Sequence, residues 1–271
     1  MSTLNTMFSR FDFIDAARAA ADQFVTLVDA VDDPDLALSA TPGWTITDCL
    51  GHVASTPSRY HELIDGRGTY AATALDLPDF NAKQIANLTT RDRRTLCTRL
   101  LTDLDELLDT VAHLGACVPK FTFDGGSHVR ADVALGMLIG EFLVHGHDIA
   151  REVGARWDID PQYAALVVRG RNNVLLGWSD ADACVGYTAT YDIRLRGVDE
   201  RFVYEFTDGE LEIDPADPRP ADVHLSLDPV AALLAGYGRV SAARTALSGR
   251  AIAWGTRPWL ALTLPRRFRP A

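Results

Sequence analysis

The sequence predicts two domains of different class, a helical bundle over residues 1–181 and a small α+β domain over residues 182–271. Three observations predict this. Apolar residues recur at helical spacing through long stretches of the first two-thirds of the chain, as at Phe13, Ala17, Ala20, Phe24, Leu27, Val28 and Val31. Near residue 182 the pattern changes to two-residue alternation rich in β-formers, beginning with Tyr187-Thr-Ala-Thr-Tyr-Asp-Ile-Arg-Leu195. Asp208-Gly209 then falls between two such runs, which is a strong hairpin signal.

Taken in order, Phe11 to about Val31 forms the first helix, ended by Asp32-Asp33-Pro34. Leu36 to Pro42 is a connection. Thr45 or Thr47 caps the second helix, which runs through His52 to about Ile64, with Pro57 expected to break or kink it. Gly66 to Pro78 reads as loop. Asn81 to Val111 reads as helical, with a weak point at Leu88-Thr89-Thr90 and a strong stripe of Leu96, Leu100, Leu101, Leu104, Leu107, Leu108 and Val111. Asp124-Gly125-Gly126 marks a turn within a loop or extended segment from Pro119 to Ser127. Ala131 to Val153 is the last long helix of this region, and four helices with one apolar face each suggest a four-helix bundle. Asp160 caps, and Pro161 opens, a further helix to about Trp178. Beyond it Tyr187–Leu195, Arg201–Phe206, Glu210–Ile213 and Ala221–Ser226 read as strands, and Asp228-Pro229 starts a short helix through Ala235. Strands followed by a helix mark an α+β domain.

Composition narrows the function classes. Lys+Arg 26 against Asp+Glu 37 gives a net charge of −11, which argues against nucleic acid and anionic membranes as partners. A hydrophobic content of 47% fits a globular chain. No apolar run reaches the ~18 residues of a spanning helix, and the N-terminus lacks the basic and apolar regions of a signal peptide. Cys49, Cys97, Cys117 and Cys184 are scattered without a Cys-x-x-Cys pair. That pattern predicts reduced thiols and a cytoplasmic protein.

Chemistry-bearing residues concentrate in two stretches. In Met137–Arg151, Glu141 and His145 lie four residues apart, and at ~100° per residue they share one face of a helix. Both are metal-ligand types at a spacing that lets them reach one ion. The helix around them is apolar, and a buried carboxylate needs a partner. A metal is one such partner, and hydrogen bonding to neighbours within the core is the other. Asp148 returns to nearly the same face, placed to orient His145 or to pair with Arg151. His147 should point away from the pair. In Gly43–Ala54, His52 sits in an apolar helix, with Asp48 four residues before it on the same face. Asp48 suits either of two roles, orienting the imidazole or favouring the helix dipole from the first turn. His61, His113, His128 and His224 lack a motif and read as solvated or core residues.

The segments Gly43-Trp44-Thr45-Ile46-Thr47-Asp48-Cys49-Leu50-Gly51-His52-Val53-Ala54 and Glu141-Phe142-Leu143-Val144-His145-Gly146-His147-Asp148-Ile149-Ala150-Arg151 lie about 90 residues apart. Together they resemble the DinB-like family, and in particular its mycothiol-dependent maleylpyruvate isomerase branch. The resemblance implies one divalent metal, usually zinc, held between the second and last bundle helices by His52, Glu141 and His145. It implies mycothiol as a thiol cofactor or cosubstrate, and isomerisation or S-transfer on a small electrophile, maleylpyruvate-like or other. The α+β region resembles the sterol-carrier-like domain that follows the bundle in these isomerases, with Leu247–Gly255 as its late Gly-rich strand. A carboxylate-bearing substrate would call for an arginine fork, for which Arg91, Arg151, Arg239, Arg244 and Arg250 are available. Arg239 and Arg250 stand out because in the family this domain helps cover the active site. Three protein ligands leave a fourth position open, which also suits a zinc-dependent hydrolase working through metal-bound water. A non-catalytic protein with a structural metal, whose C-terminal domain binds an apolar ligand, is the reading from another class.

Overall fold

The computed structural model describes residues 8–269. Its contacts divide into two compact units, one spanning Phe8–Ile159 and the other starting at Asp160. The fold class is the predicted one, helices first and a small sheet region after them.

The first unit consists of α1 (Arg10–Asp29), α2 (Ile46–Ile64), a shorter α3 (Leu77–Ala86), α4 (Arg93–Ala112) and α5 (Ala131–Val153). Side chains satisfy the orphan amides at the helix starts. Ser9 and Asp12 form a capping box on α1, Thr45 and Asp48 another on α2, and Asp92 accepts from the Thr95 amide on α4. Helix α5 ends on Gly154 at φ 69, the left-handed position a glycine takes without strain. The four long helices pack α1 on α5 and α4, and α2 on α4 and α5, which closes a bundle. Phe24, Phe142, Leu100 and Leu104 are fully buried in its core, each worth about 1.5–3 kcal/mol of apolar transfer. Helix α5 is long and apolar enough to cross a membrane, but 89% of the qualifying window is buried among the other helices.

Three local expectations change. The long helix expected over Asn81–Val111 is two helices, because the chain breaks after Ala86 and Asp92 caps a fresh start. Helix α3 begins in the stretch read as loop, with Pro78 at the first positions, where a missing N–H costs nothing. Pro57 lies inside α2 without ending it. A short antiparallel hairpin, β1 (Lys120–Thr122) with β2 (His128–Arg130), turns through Gly125 and Gly126 at φ 82 and 80.

The second unit opens with α6 (Pro161–Asn172) and the one-turn α7 (Ala181–Cys184). Its strands are β3 (Ala189–Leu195), β4 (Glu200–Thr207), β5 (Glu210–Ile213), β6 (Val223–Leu227) and β7 (Ala251–Trp254). They form one sheet in the order β5-β4-β3-β6-β7, antiparallel except for β3 beside β6. Asp208 and Gly209 turn β4 into β5 at φ 50 and 94, which suits a tight hairpin of the predicted kind. Between β6 and β7 lie α8 (Pro229–Gly236), as expected, and α9 (Ala242–Leu247), which the sequence reading had not assigned. Alternation sorts the faces: Ile193, Leu195, Phe202, Phe206 and Leu225 are buried on one, whereas Arg194 and Arg201 on the other are exposed.

The division at Ile159/Asp160 precedes the expected one at residue 182. Helix α6 packs against α8, so it belongs with the sheet. The composition shift at residue 182 marks the approach to the first strand, and a helical period alone does not tell which core a helix faces.

Candidate metal centre

Helix α2 is aimed by its N-terminus. Gly43 takes φ 89 before Trp44 and the capping box. Asp48 is committed to that box: its Oδ2 accepts from the Thr45 amide at 2.9 Å. Its Oδ1 accepts from Arg91 Nη1 at 2.6 Å. Burial works to raise the Asp48 carboxyl, but the bonds from Thr45 and Arg91 outweigh it and hold the group below its usual value. Of its two expected roles, Asp48 fills the first-turn one. The imidazole of His52, one turn on and buried, is held by a residue the sequence reading passed over. His52 Nδ1 donates to Gln84 Oε1 at 2.8 Å. Gln84 stands on α3, whose separate existence the sequence signalled only by the weak point at Leu88–Thr90.

On α5, Glu141 and His145 share a face as their spacing predicts. Glu141 Oε2 lies 3.3 Å from His145 Nε2 and 3.2 Å from His52 Nε2. The ligand atoms of His52, Glu141 and His145 all lie within 4.8 Å of one another. His145 Nδ1 is buried and lies 3.8 Å from Asp148 Oδ2, beyond hydrogen-bond length. Asp148 is buried beside His145 and also lies 3.6 Å from His147 Nδ1. His147 is not among the three clustered residues. Gly146, within the His-Gly-His run, makes room for Trp157: a Cβ there would sit 2.2 Å from the indole. The indole N–H donates to the Leu143 carbonyl at 3.0 Å. This packing fixes the α5 turn that carries His145.

Trp44 covers the cluster. Its ring centroid is 5.0 Å from that of His52 and 6.0 Å from that of His145. The two imidazoles stand edge to face, 5.5 Å apart. Burial works to raise the Glu141 carboxyl, but hydrogen bonding to His145 and His52 prevails and holds it well below the usual carboxylate range. It is therefore ionised and ready to act as a ligand.

The donor set fits a divalent metal. A neutral imidazole has a single N–H, yet both nitrogens of His52 face oxygens, the Gln84 amide and the Glu141 carboxylate. The amide oxygen can only accept, so Nδ1 holds the proton. A cation, either a metal ion or a second proton, then resolves the meeting of Nε2 with the carboxylate. Two imidazoles and one carboxylate form a ligand set for zinc that leaves one tetrahedral position free.

Of the arginine candidates, Arg239, Arg244 and Arg250 lie in the second unit and Arg91 and Arg151 in the first. Arg239 is half-buried, and its Nη1 donates to the Tyr237 carbonyl at 2.7 Å. Arg250 is exposed immediately before β7. In the first unit, Arg91 is engaged with Asp48.

Residues 17–150 match the family model described as the mycothiol maleylpyruvate isomerase N-terminal domain, and this span contains all three clustered residues. Among solved structures, the chain resembles the mycothiol-dependent maleylpyruvate isomerase. The identity is 18%, the TM-score is 0.53, and 93% of this chain and 95% of that one are covered. A mutant of that enzyme with one histidine replaced by alanine matches to the same degree. At this identity the likeness speaks for the fold. No curated protein matches the sequence.

Proposed function

We propose that this protein, whose residues 17–150 match the mycothiol maleylpyruvate isomerase N-terminal domain model, is a metal- and mycothiol-dependent isomerase or S-transferase. The observation that carries this reading is the convergence of His52, Glu141 and His145 on one point, with Gln84 fixing the tautomer of His52. Zinc bound there would supply a Lewis-acidic centre that draws a thiol toward its thiolate form. The chain's own residues set the conditions for that chemistry. Glu141 stays ionised, His52 keeps its proton on Nδ1, and Trp44 shields one side of both imidazoles from water.

The substrate class is a small electrophile with an activated double bond, maleylpyruvate-like or other. A thiolate that adds, allows the carbon–carbon bond to rotate and then leaves gives isomerisation. One that stays on the product gives S-transfer. Arg239 and Arg250 are the proposed contacts for a substrate carboxylate. Asp148 is proposed to steady His145. Four cysteines without a disulfide support a reducing, cytoplasmic setting.

Purified protein should contain one divalent ion per chain and turn over electrophilic substrates only when mycothiol is added. A metal-loaded protein with equal turnover in its absence would instead favour the hydrolase, which uses the same donor set. A protein that retains no metal on reconstitution would refute the whole reading.

A further inference from the structure

The outward face of the sheet carries a cluster that the proposed reaction does not use. Arg194 on β3 and Arg201 on β4 are direct cross-strand partners there, and both are exposed. Like charges placed opposite one another weaken a sheet. A chain with a net charge of −11 has no general excess of cations to scatter on its surface. Ser226 on β6 and Ile252 on β7 continue the same row.

One carboxylate serves both arginines. Asp192 stands on this face too, yet is only 3% exposed. Its Oδ1 accepts from Arg201 Nε at 2.5 Å, whereas Arg194 Nη2 reaches Oδ2 only at 3.4 Å. Asp192 therefore balances one of the two positive charges and leaves the other. Arg201 meets it through Nε, so its two Nη groups remain available, and both arginine side chains are 58% exposed. His224, across from Asp192 on β6, places Nδ1 2.9 Å from Oδ2. An ionised carboxylate only accepts, so Nδ1 holds the proton of the neutral imidazole and Nε2 presents a lone pair. The ring lies flat on the Trp254 indole, with centroids 5.4 Å apart and planes at 15°. Trp254 itself is 46% exposed.

The face thus offers two kinds of contact side by side. One row holds two guanidiniums and the Ser226 hydroxyl. The next holds an acceptor nitrogen and an indole. His224 is diagonal to Arg194, and such neighbours lie roughly 7–8 Å apart, a span that one small ligand bridges. Guanidinium forks match phosphate oxygens, and two forks with a hydroxyl suit the three terminal oxygens of a phosphate better than the two of a carboxylate. The acceptor nitrogen calls for a ligand hydroxyl, and the indole for a flat apolar face.

We propose that this face binds a sugar phosphate, with the phosphate across Arg194, Arg201 and Ser226 and the sugar beside Trp254, one hydroxyl donating to His224 Nε2. The site uses strands of the second unit alone.

Titration calorimetry on the full chain with glucose 6-phosphate, inorganic phosphate and glucose tests it. Glucose 6-phosphate should bind, inorganic phosphate should bind about fivefold more weakly for want of the His224 hydrogen bond, and glucose should show no measurable binding. Arg194→Gln should weaken glucose 6-phosphate at least about tenfold, as for a lost hydrogen bond to a charged group. Arg219→Gln removes a charge that is paired with Glu205 outside the row, and should leave the affinity within about twofold. His224→Phe keeps a ring on Trp254 and should lower glucose 6-phosphate to the affinity of inorganic phosphate. No binding of glucose 6-phosphate by the wild type, equal binding of the two phosphates, or an equal loss in Arg219→Gln would overturn the proposal. So would binding that survives Arg194→Gln, the result expected if phosphate sat on the metal instead. The wild type alone covers the case of an unfolded variant: saturating glucose 6-phosphate should raise its Tm and glucose should not, and an unchanged melt would overturn the assignment.

Discussion

Gln84→Leu isolates what the chain does for its own metal ligand. The substitution removes the 2.8 Å hydrogen bond to His52 Nδ1 while roughly keeping the volume of the side chain. His52 is only 7% exposed, so water cannot readily replace the lost acceptor. An unsatisfied buried donor costs about 1–3 kcal/mol, which corresponds to roughly 5- to 150-fold in a binding constant. That range brackets the ~10–100-fold loss typical when the outer partner of a metal-bound histidine is removed. Zinc affinity, measured by competition with a chromophoric chelator, should therefore fall about 10- to 100-fold in Gln84→Leu. Circular dichroism should be unchanged, since Gln84 is half-buried and its loss opens no core cavity. Gln84→Glu keeps an acceptor and adds charge, so it should hold zinc at least as well as the wild type. An affinity within about twofold of wild type in a folded Gln84→Leu protein would refute the reasoning, because His52 would then need no partner to present Nε2.

Other perturbations have equally definite outcomes. Gly146→Ala places a methyl where the Trp157 indole lies, 2.2 Å away. It should cost about 1–3 kcal/mol as overpacking, read as a lower Tm with altered tryptophan fluorescence; an unchanged melt would contradict the packing. Asp192 feels burial pushing its carboxyl up, but hydrogen bonds from Arg201 and His224 outweigh it and hold the group below its usual value. A depressed folded value stabilises the protein above the unfolded value of ~3.9, and this support fades as pH falls through the folded one. Asp192→Asn should therefore flatten the stability profile below about pH 4, and an equally steep acid profile in the variant would contradict the pairing. Burial, followed by the Asp29 charge, pushes the Cys97 thiol up to about 11, whereas Cys117 is exposed. Alkylation of the native protein near neutral pH should label Cys117 first and reach Cys97 only on unfolding, as peptide mapping would show.

The sequence carried much of this architecture for identifiable reasons. The metal cluster was legible because Glu141 and His145 share one helix, where spacing alone sets their geometry. His52 needed the second segment, since nothing in periodicity brings α2 to α5. Helix α5 came out at Ala131–Val153 because its apolar run is long and Gly154 ends it. What escaped depended on tertiary packing. Gln84 is an ordinary helix-surface residue until α3 is docked beside His52. Asp48 sits at the right spacing for His52, yet the cap on its own helix is closer. The sequence does not tell which core α6 faces, because it looks like any amphipathic helix and only its contact with α8 groups it with the sheet.

The central claim is that His52, Glu141 and His145 present a metal to a thiol, and cobalt substitution tests it most directly. Protein loaded with cobalt(II) should show the visible bands of a low-coordinate site, and adding mycothiol should raise a sulfur-to-metal charge-transfer band in the near ultraviolet, saturating at one thiol per metal. Glu141→Gln should weaken cobalt binding and with it the band. Cobalt held by the wild type with no charge-transfer band at saturating mycothiol would contradict the account, because the metal would then be present without meeting sulfur.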